Sequence, residues 1–557
     1  MVGGSSARRV RLALVMLALV AGTVAPAVAP GVALGSARAQ GRTRPPAIVF
    51  SPAVRRHFRR LLASPVGRTL SGSSRSMIQY VLSGGIPPSG EAAPVHPGSA
   101  LPGALALAAA GSDIRVNDPT GDAPGDPNMT TQSEATVAVS GSNVVVAFND
   151  DGRFSQSGAG SAAVGYAQSS NGGLTFTDHI LAEPPRSIAF GDPTLAADRS
   201  GHVYLASLSL DESSGETPIV VYRSNDGGVT FPTVVPLPSA SRGAFADKDW
   251  LTVGPDPQNP GHDIIYAAWT SAGRRGEELV VTRSYDGALT WSKPVVIAGS
   301  RFIQRKNSYK VFYPTGVGLA TDPVTGALYA AWEVFGFAAN RRTAYDLPTH
   351  PIMTVSSTDG GRTFSGKQQI GTARAIGEVI GFGDAMNFGP SNYARVTNFP
   401  SIGVGPAGRV FVAYDGAAAD GTSAVTVANA AGGNGPWQRI ILQTPSDAFM
   451  PALAADGSGV SVSYYLRTGP ETLTTVLATS DDGTTFSSQP LATTDFAVPS
   501  TIPSFDPFTA PSYMGDYNGL VRRGGVTYAA WGDNRDLVVN GFWPAGRPDP
   551  NVYFRKV

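Results

Sequence analysis

An eight-residue phrase recurs along the chain and limits what the chain can fold into. It reads Ser/Thr-x-Asp-x-Gly-x-Thr-aromatic, most plainly as SNDGGVTF from Ser224 to Phe231 and STDGGRTF from Ser357 to Phe364. Ser169 to Phe176 repeats it with Asn171 in the acid position, Ser284 to Trp291 with Ala288 in the glycine position, and Thr479 to Phe486 with threonine in the lead. The phrase describes a hairpin tip. A carboxylate or amide caps backbone N–H groups of its own turn, glycine supplies a positive φ, and the aromatic ring is driven inward between sheets. Asn171, Asp226, Asp286, Asp359 and Asp481 are the expected capping residues. Their work is structural, so chemistry has to be sought elsewhere in the chain.

Between these tips, β-branched and aromatic runs alternate with Gly, Pro, Asn and Asp, which is an all-β pattern. Seven units stand out by their second strands: VVVAFN from Val144, VYLASLS from Val203, IIYAAWT from Ile264, LYAAWE from Leu328, VFVAYD from Val410, VSVSYY from Val460 and VTYAAWGD from Val526. The fifth unit keeps only GGNGPW, Gly432 to Trp437, where a tip should be. Units of four strands, each burying its faces against its neighbours, describe a β-propeller. The seventh unit ends on its third strand, NVYFRKV from Asn551. DIRVN, Asp113 to Asn117, has the length and alternation to supply the fourth and so to remove the exposed edge.

The recurring phrases resemble the Asp-box (BNR) repeats of sialidase-like β-propellers, over residues 113–557. The resemblance implies a propeller, for which seven blades fit the units and six are the alternative. It is specific for architecture rather than activity, because such boxes also occur in other glycosidases, sorting receptors and assembly factors.

Ahead of the propeller, residues 1–39 read as an export signal: Arg8, Arg9 and Arg11, an apolar run from Leu12, and the small-residue site Ala37-Arg38-Ala39. Pro26 and Pro30 interrupt the run before it reaches the ~20 apolar residues a membrane span needs. A secreted, extracellular or periplasmic location follows, with a membrane reached only through an uncleaved signal or the basic prefix. Residues 40–112 form that flexible prefix, with a helix from Ser51-Pro52 carrying Arg55, Arg56, Arg59 and Arg60, expected to be a solvated pro-segment or tether, and then a Pro/Gly/Ala-rich linker. Lys+Arg and Asp+Glu both number 42, so no global field points to nucleic acid. Cysteine is absent, which removes disulfides and thiolate metal sites, and the six histidines lack metal-ligand spacing.

Aligning the units on their first strands places Glu134, Asp192, Asp249, Gly316, Phe399, Met450 and Asp516 around one mouth of the central channel, opposite the box tips. Carboxylates gathered in a cleft repel, which raises pKa values or recruits a cation such as Ca²⁺; suitably spaced pairs perform acid/base glycoside hydrolysis. Equally, acids at strand starts cap the neighbouring blade. Long connections bring Tyr309, Phe335, Arg341, Arg342, Tyr345 and Trp543 to the same face, a set suited to a sugar ring or to a protein partner.

Sialidases add an arginine motif before an inner strand, and the nearest match here, Asn398-Phe399-Pro400-Ser401, has asparagine in its place. The resemblance offers Tyr517, beside Asp516, as a tyrosine nucleophile, although an acid-rich mouth would repel sialate. Three readings follow. In the first, a monomer recognises a glycan or glycosylated surface at the acid-lined mouth, either hydrolysing it, with Asp192 or Asp249 as general acid and Glu134 or Asp516 as nucleophile or base, or only binding it, the acids holding a cation or capping strands while the aromatic loops grip the ligand. The others are an exo-sialidase-type glycosidase and a non-catalytic extracellular scaffold for protein interaction.

Overall fold

The computed structural model describes residues 50–83, 112–119, 131–151, 163–211, 213–241, 243–273, 276–340, 344–379, 384–389, 392–442, 444–498, 514–539 and 546–557. The export signal, most of the linker, Arg341, Arg342 and Trp543 lie outside these residues.

The described residues are predominantly β-strand, with two α-helices at the N-terminal end. Among the described residues seven sheets contain a path of four antiparallel strands, in chain order in six of them, as in Gln132–Ser140, Asn143–Asp150, Val164–Ser169 and Thr177–Ile180. The innermost strands pack side by side in cyclic order, and the strand of the last sheet, Gly519–Arg523, lies against that of the first. Closure follows the alternation of DIRVN: Ile114 and Arg115 pair antiparallel with Phe554 and Tyr553, so the last sheet is completed by the segment that precedes the first. Asn117 reinforces the seam by accepting from Val552 N at 2.9 Å. Trp269, Trp332 and Trp531 of the Ala-Ala-Trp strands are buried between sheets.

The box tips are built as their residue types dictate. Asp226 accepts from Ser224 Oγ (2.6 Å), Thr230 N (2.9 Å) and Thr230 Oγ1 (2.6 Å), while Ser224 Oγ accepts from Gly228 N. Asp286 and Asp359 repeat the pattern, and Asn171 accepts from the backbone of Leu174 and Thr175. A Cβ on Gly228, whose φ is +90°, would stand 2.1 Å from Val145 Cγ2. This tip thus packs against the second strand of the preceding sheet. The fifth tip corrects the sequence reading. Asp482, not Asp481, accepts from Ser480 Oγ, Thr484 N and Thr485 N. Ser480 rather than Thr479 leads a turn one residue tighter, which shifts the capping acid by one.

The N-terminal helices depart further from expectation. α1 (Pro52–Ala63) starts as its residues imply: Ser51 Oγ accepts from Val54 N, and Pro52 occupies the first turn, where no N–H is needed. Its Arg56, Arg59 and Arg60 are exposed, but Phe58 is buried edge-on to Phe245, ring centroids 5.9 Å apart. α2 (Gly72–Ser83) buries Met77, Ile78, Tyr80 and Val81, and Tyr80 meets Phe190 at 5.8 Å. These side chains share one apolar cluster with Leu208, Leu210, Ile219, Phe335 and Phe337. The prefix helix is therefore docked, not solvated. Six nearly fully buried arm side chains, Phe58, Leu70, Met77, Ile78, Tyr80 and Val81, contribute on the order of 10 kcal/mol of transfer free energy before entropy is counted.

Candidate functional site

The hub is made by a distortion repeated in the inner strands. Pairing slips by one residue, two inner-strand residues standing opposite one on the partner, between Ser133 and Thr136, Asp247 and Trp250, Thr315 and Gly318, and Phe449 and Ala452. The first residue of each slip has positive φ: Glu134 (54°), Lys248 (55°), Gly316 (64°) and Met450 (52°), with Asp192 (51°) in the equivalent place before Thr194. Bulges of this kind re-aim side chains and are held in place by surrounding structure. In the third sheet the position belongs to Lys248. Asp249, placed there by sequence alignment, is the next residue; it is buried and also lines the channel.

Glu134, Asp192, Asp249 and Asp516 do come together, and all four are almost fully buried. Asn149 ties the first two, donating to Glu134 Oε2 at 3.1 Å while its Oδ1 accepts from Asp192 N at 2.9 Å. Glu134 Oε1 accepts from Asp516 N at 3.1 Å. Burial pushes the Asp192 carboxyl well above the usual range, reinforced by the charge of Glu134 and a hydrogen bond between the two carboxyl groups. Asp249 is pushed up likewise by burial and then by Asp192; its Oδ2 accepts from Thr194 Oγ1 at 2.9 Å, and its Oδ1 has no hydrogen-bond partner among the described residues.

Two cations that sequence reasoning missed enter the cluster. Arg395, on the strand Asn392–Val396, ion-pairs with Asp516, and Lys248 Nζ lies 3.1 Å from Asp247 Oδ2 and 3.8 Å from Asp516 Oδ2. Burial raises the Asp516 pKa and these two cations pull it back. For Asp247 the cation wins: burial would raise it, but Lys248 and donors from Ser74 and Ser71 leave it below its ordinary value. Glu277, also missed, is pushed up to about 8 by burial. The clue to Lys248 was the run Asp247-Lys248-Asp249 at a strand start, and the clue to Arg395 was an arginine three residues before Asn398. Neither reads as a hub residue until the bulge and the long connection are placed.

The helical arm roofs this cluster. Lys248 Nζ donates to the Thr69 carbonyl, Arg395 to the Leu70 carbonyl (3.2 Å), and Thr69 Oγ1 to Glu277 Oε1. Asp247 caps the N-terminus of α2, accepting from Ser71 N at 3.0 Å and Ser74 Oγ at 2.7 Å. Beneath lies a channel of about 570 Å³, counted out to open solvent, lined by Asp192, Asp249 and Asp516 with Trp250, Tyr517 and Phe399. A second cavity of about 340 Å³ adjoins it at Thr397 and Phe399, beside Thr69, and holds the pair His350 Nδ1–Glu333 Oε1 at 2.5 Å.

Tyr517 Oη donates to the Pro193 carbonyl at 2.7 Å, and burial followed by the surrounding carboxylates raises its pKa well above 10. A phenol so held stays protonated, which does not suit a nucleophile. Phe335 and Tyr309 do not line the main channel: Phe335 is buried in the cluster under the arm and lines the adjoining second cavity, and Tyr309 packs on Phe337 at 6.0 Å. Tyr345 is exposed, on the strand Ala344–Asp346. Among the described residues no group of three or more His, Asp or Glu side chains is arranged to hold a metal ion, and no described helix is long and apolar enough to cross a membrane.

No protein-family model and no curated protein matches this chain. Similar solved structures include a polysaccharide lyase of family PL25, an ulvan lyase (10% identity, TM-score 0.43, covering 80% of this chain and 94% of that one), and the endosialidase of phage phi92 (10%, 0.39, 80% and 69%). Another is the GH93 α-L-arabinofuranosidase of Fusarium graminearum with arabinobiose (15%, 0.35, 68% and 97%). At such identities and TM-scores none of them carries an activity over to this chain.

Proposed function

We propose that the chain is an exported, seven-bladed Asp-box propeller whose hub binds a neutral glycan and hydrolyses it as a glycosidase. The observation that carries this reading is the set of buried carboxyls, Asp192, Asp249 and Asp516, that line one channel, the first two with pKa values raised by burial and the third paired with cations. Asp249, whose pKa burial raises, is the general acid, and the Glu134–Asp192 pair supplies the base or nucleophile. Asp516 is engaged by Arg395 and Lys248 and acts in positioning them instead. Export rests on the leader residues.

Charge argues against an anionic sugar. Six acids (Glu134, Asp192, Asp247, Asp249, Glu277 and Asp516) meet two cations, Lys248 and Arg395, and both cations are already engaged by Asp516. A sialate carboxylate would find no unengaged cation among these hub residues.

The test is hydrolysis of a panel of aryl glycosides, with glycan-array binding alongside, by the intact chain and by Met77→Glu, which loosens the arm without altering a hub residue. Hydrolysis abolished by Asp249→Asn and reduced by Asp192→Asn supports the enzyme. Binding without hydrolysis, lost in Trp250→Ala, leaves a lectin-like hub. Silence in both assays and both chains overturns the glycan reading.

A further inference from the structure

We propose that the segment Thr69–Ser74 occupies, in cis, the seat of a hydroxyl-bearing ligand formed by Asp247, Lys248, Glu277 and Arg395, so that the intact chain is held with its hub closed. The segment behaves as such a ligand would. It presents two hydroxyls, Thr69 Oγ1 to Glu277 and Ser74 Oγ to Asp247, and two carbonyl oxygens, one to Lys248 and one to Arg395. Each charged side chain of the seat therefore has at least one of its hydrogen bonds, and Asp247 two, met from the arm rather than from the propeller. Glu277 Oε2, buried, has no hydrogen-bond partner among the described residues, a polar atom that one further hydroxyl would satisfy. The packing is as close as the bonding: a Cβ on Gly191 would stand 2.4 Å from Ser73 Oγ.

The rest of the arm explains why the segment stays. Phe58, Met77 and Tyr80 anchor the two helices outside the hub on Phe245, Phe190 and their neighbours. The polar link between them is suspended over the acids. The sequence joins this arm to the first strand of the ring through a stretch rich in Pro, Gly and Ala, residues 84–111, a composition suited to a tether that does not itself dictate where the arm sits. Opening thus requires the helices to leave their apolar seat, by proteolysis or by a partner that takes it. This inference rests on the hub being a ligand site, but its test needs no ligand.

The chain has no cysteine, so one introduced thiol reports without background. Ser401→Cys places it in the channel beneath the arm, and its labelling rate with a small uncharged maleimide is compared in the otherwise intact chain and with Met77→Glu added. Ala428→Cys, fully buried in the fifth sheet and remote from the arm, is the control for general unfolding. The expected result is slow labelling at position 401 in the intact chain, at least tenfold faster labelling with Met77→Glu, and no change at position 428. Equal rates at 401 in both chains, fast or slow, overturn the closure, because the channel is then either open past the arm or sealed without it. Acceleration at both 401 and 428 also overturns it, because the arm is then a structural part whose loss unfolds the ring. In any of those cases glycan hydrolysis or binding, assayed separately, leaves the hub reading standing.

Discussion

Glu277→Gln turns the electrostatics of the hub into a measurable pH dependence. Glu277 has a pKa of about 8 in the folded chain against an ordinary 4.5, chiefly because burial penalises its charged form; the Thr69 hydroxyl and Lys248 offset only part of that. The folded state therefore binds this proton more tightly than the unfolded state does. By linkage, the stabilisation is complete below pH 4.5 and is lost as pH rises through about 8. Integrated between pH 5 and pH 8.5, one such group removes about 4 kcal/mol. Glutamine keeps an oxygen for Thr69 Oγ1 and cannot ionise. In paired urea or thermal unfolding series, wild type and variant should be nearly matched at pH 5, with the variant gaining steadily to about 4 kcal/mol by pH 8.5. Asp192, Asp249, Asp415 and Asp516 are raised too, so wild-type stability alone falls with pH for several reasons, and only the difference between the curves isolates Glu277. Parallel curves for the two proteins would show that Glu277 ionises normally, and the picture of a dry, roofed hub would have to be abandoned.

Three further outcomes follow from packing. Gly316→Ala would put a Cβ 2.2 Å from Phe399 Cδ1 at a φ of +64°, so it should cost roughly 2–3 kcal/mol and shift the ring that Lys248 overlies at 5.4 Å, visible as a lowered melting temperature. Asp226→Ala removes the acceptor for Ser224 and Thr230 at a box tip remote from the hub and should cost about 1 kcal/mol in unfolding while leaving any hydrolysis or glycan binding unchanged. Phe58→Ala should weaken arm docking by about 3–5 kcal/mol, read as faster proteolysis within residues 51–83 than within the sheets.

The ring was legible in the residues because its signals are local and repeated. Each box carries its own cap, its own glycine and its own aromatic, and the hydrogen bonds to Asp226, Asp286 and Asp359 are made within five residues. Closure by DIRVN was legible for the opposite reason: a last sheet one strand short leaves an edge that something must cover. The gathering of Glu134, Asp192, Asp249 and Asp516 followed from aligning strand starts, since a ring brings equivalent positions to one axis. The single-residue errors, Asp481 for Asp482 and Asp249 for Lys248, share a cause. A tighter turn and a bulge each change the residue count without changing the composition, and sequence spacing cannot register them.

The arm was misread because its decisive contacts are distant in sequence. Arg55, Arg56, Arg59 and Arg60 dominate the reading of α1, and three of them do face solvent, but one aromatic, Phe58, decides where the helix rests. In α2 the apolar residues Met77, Ile78, Tyr80 and Val81 keep helical spacing, yet Gly72, Ser73 and Ser74 in its first turn are poor helix formers. What makes that turn favourable is Asp247, 173 positions from Ser74, whose carboxylate meets the helix N-terminus. The same carboxylate is held ionised by Lys248, which also donates to Thr69. A helix start, a bulge cation and a hub acid thus form one electrostatic unit, and each is only intelligible through the others. It follows that the charge state of the hub and the position of the arm cannot vary independently: neutralising Asp247 or Lys248 should loosen the arm, and lifting the arm should return Asp247, Glu277 and Arg395 to water.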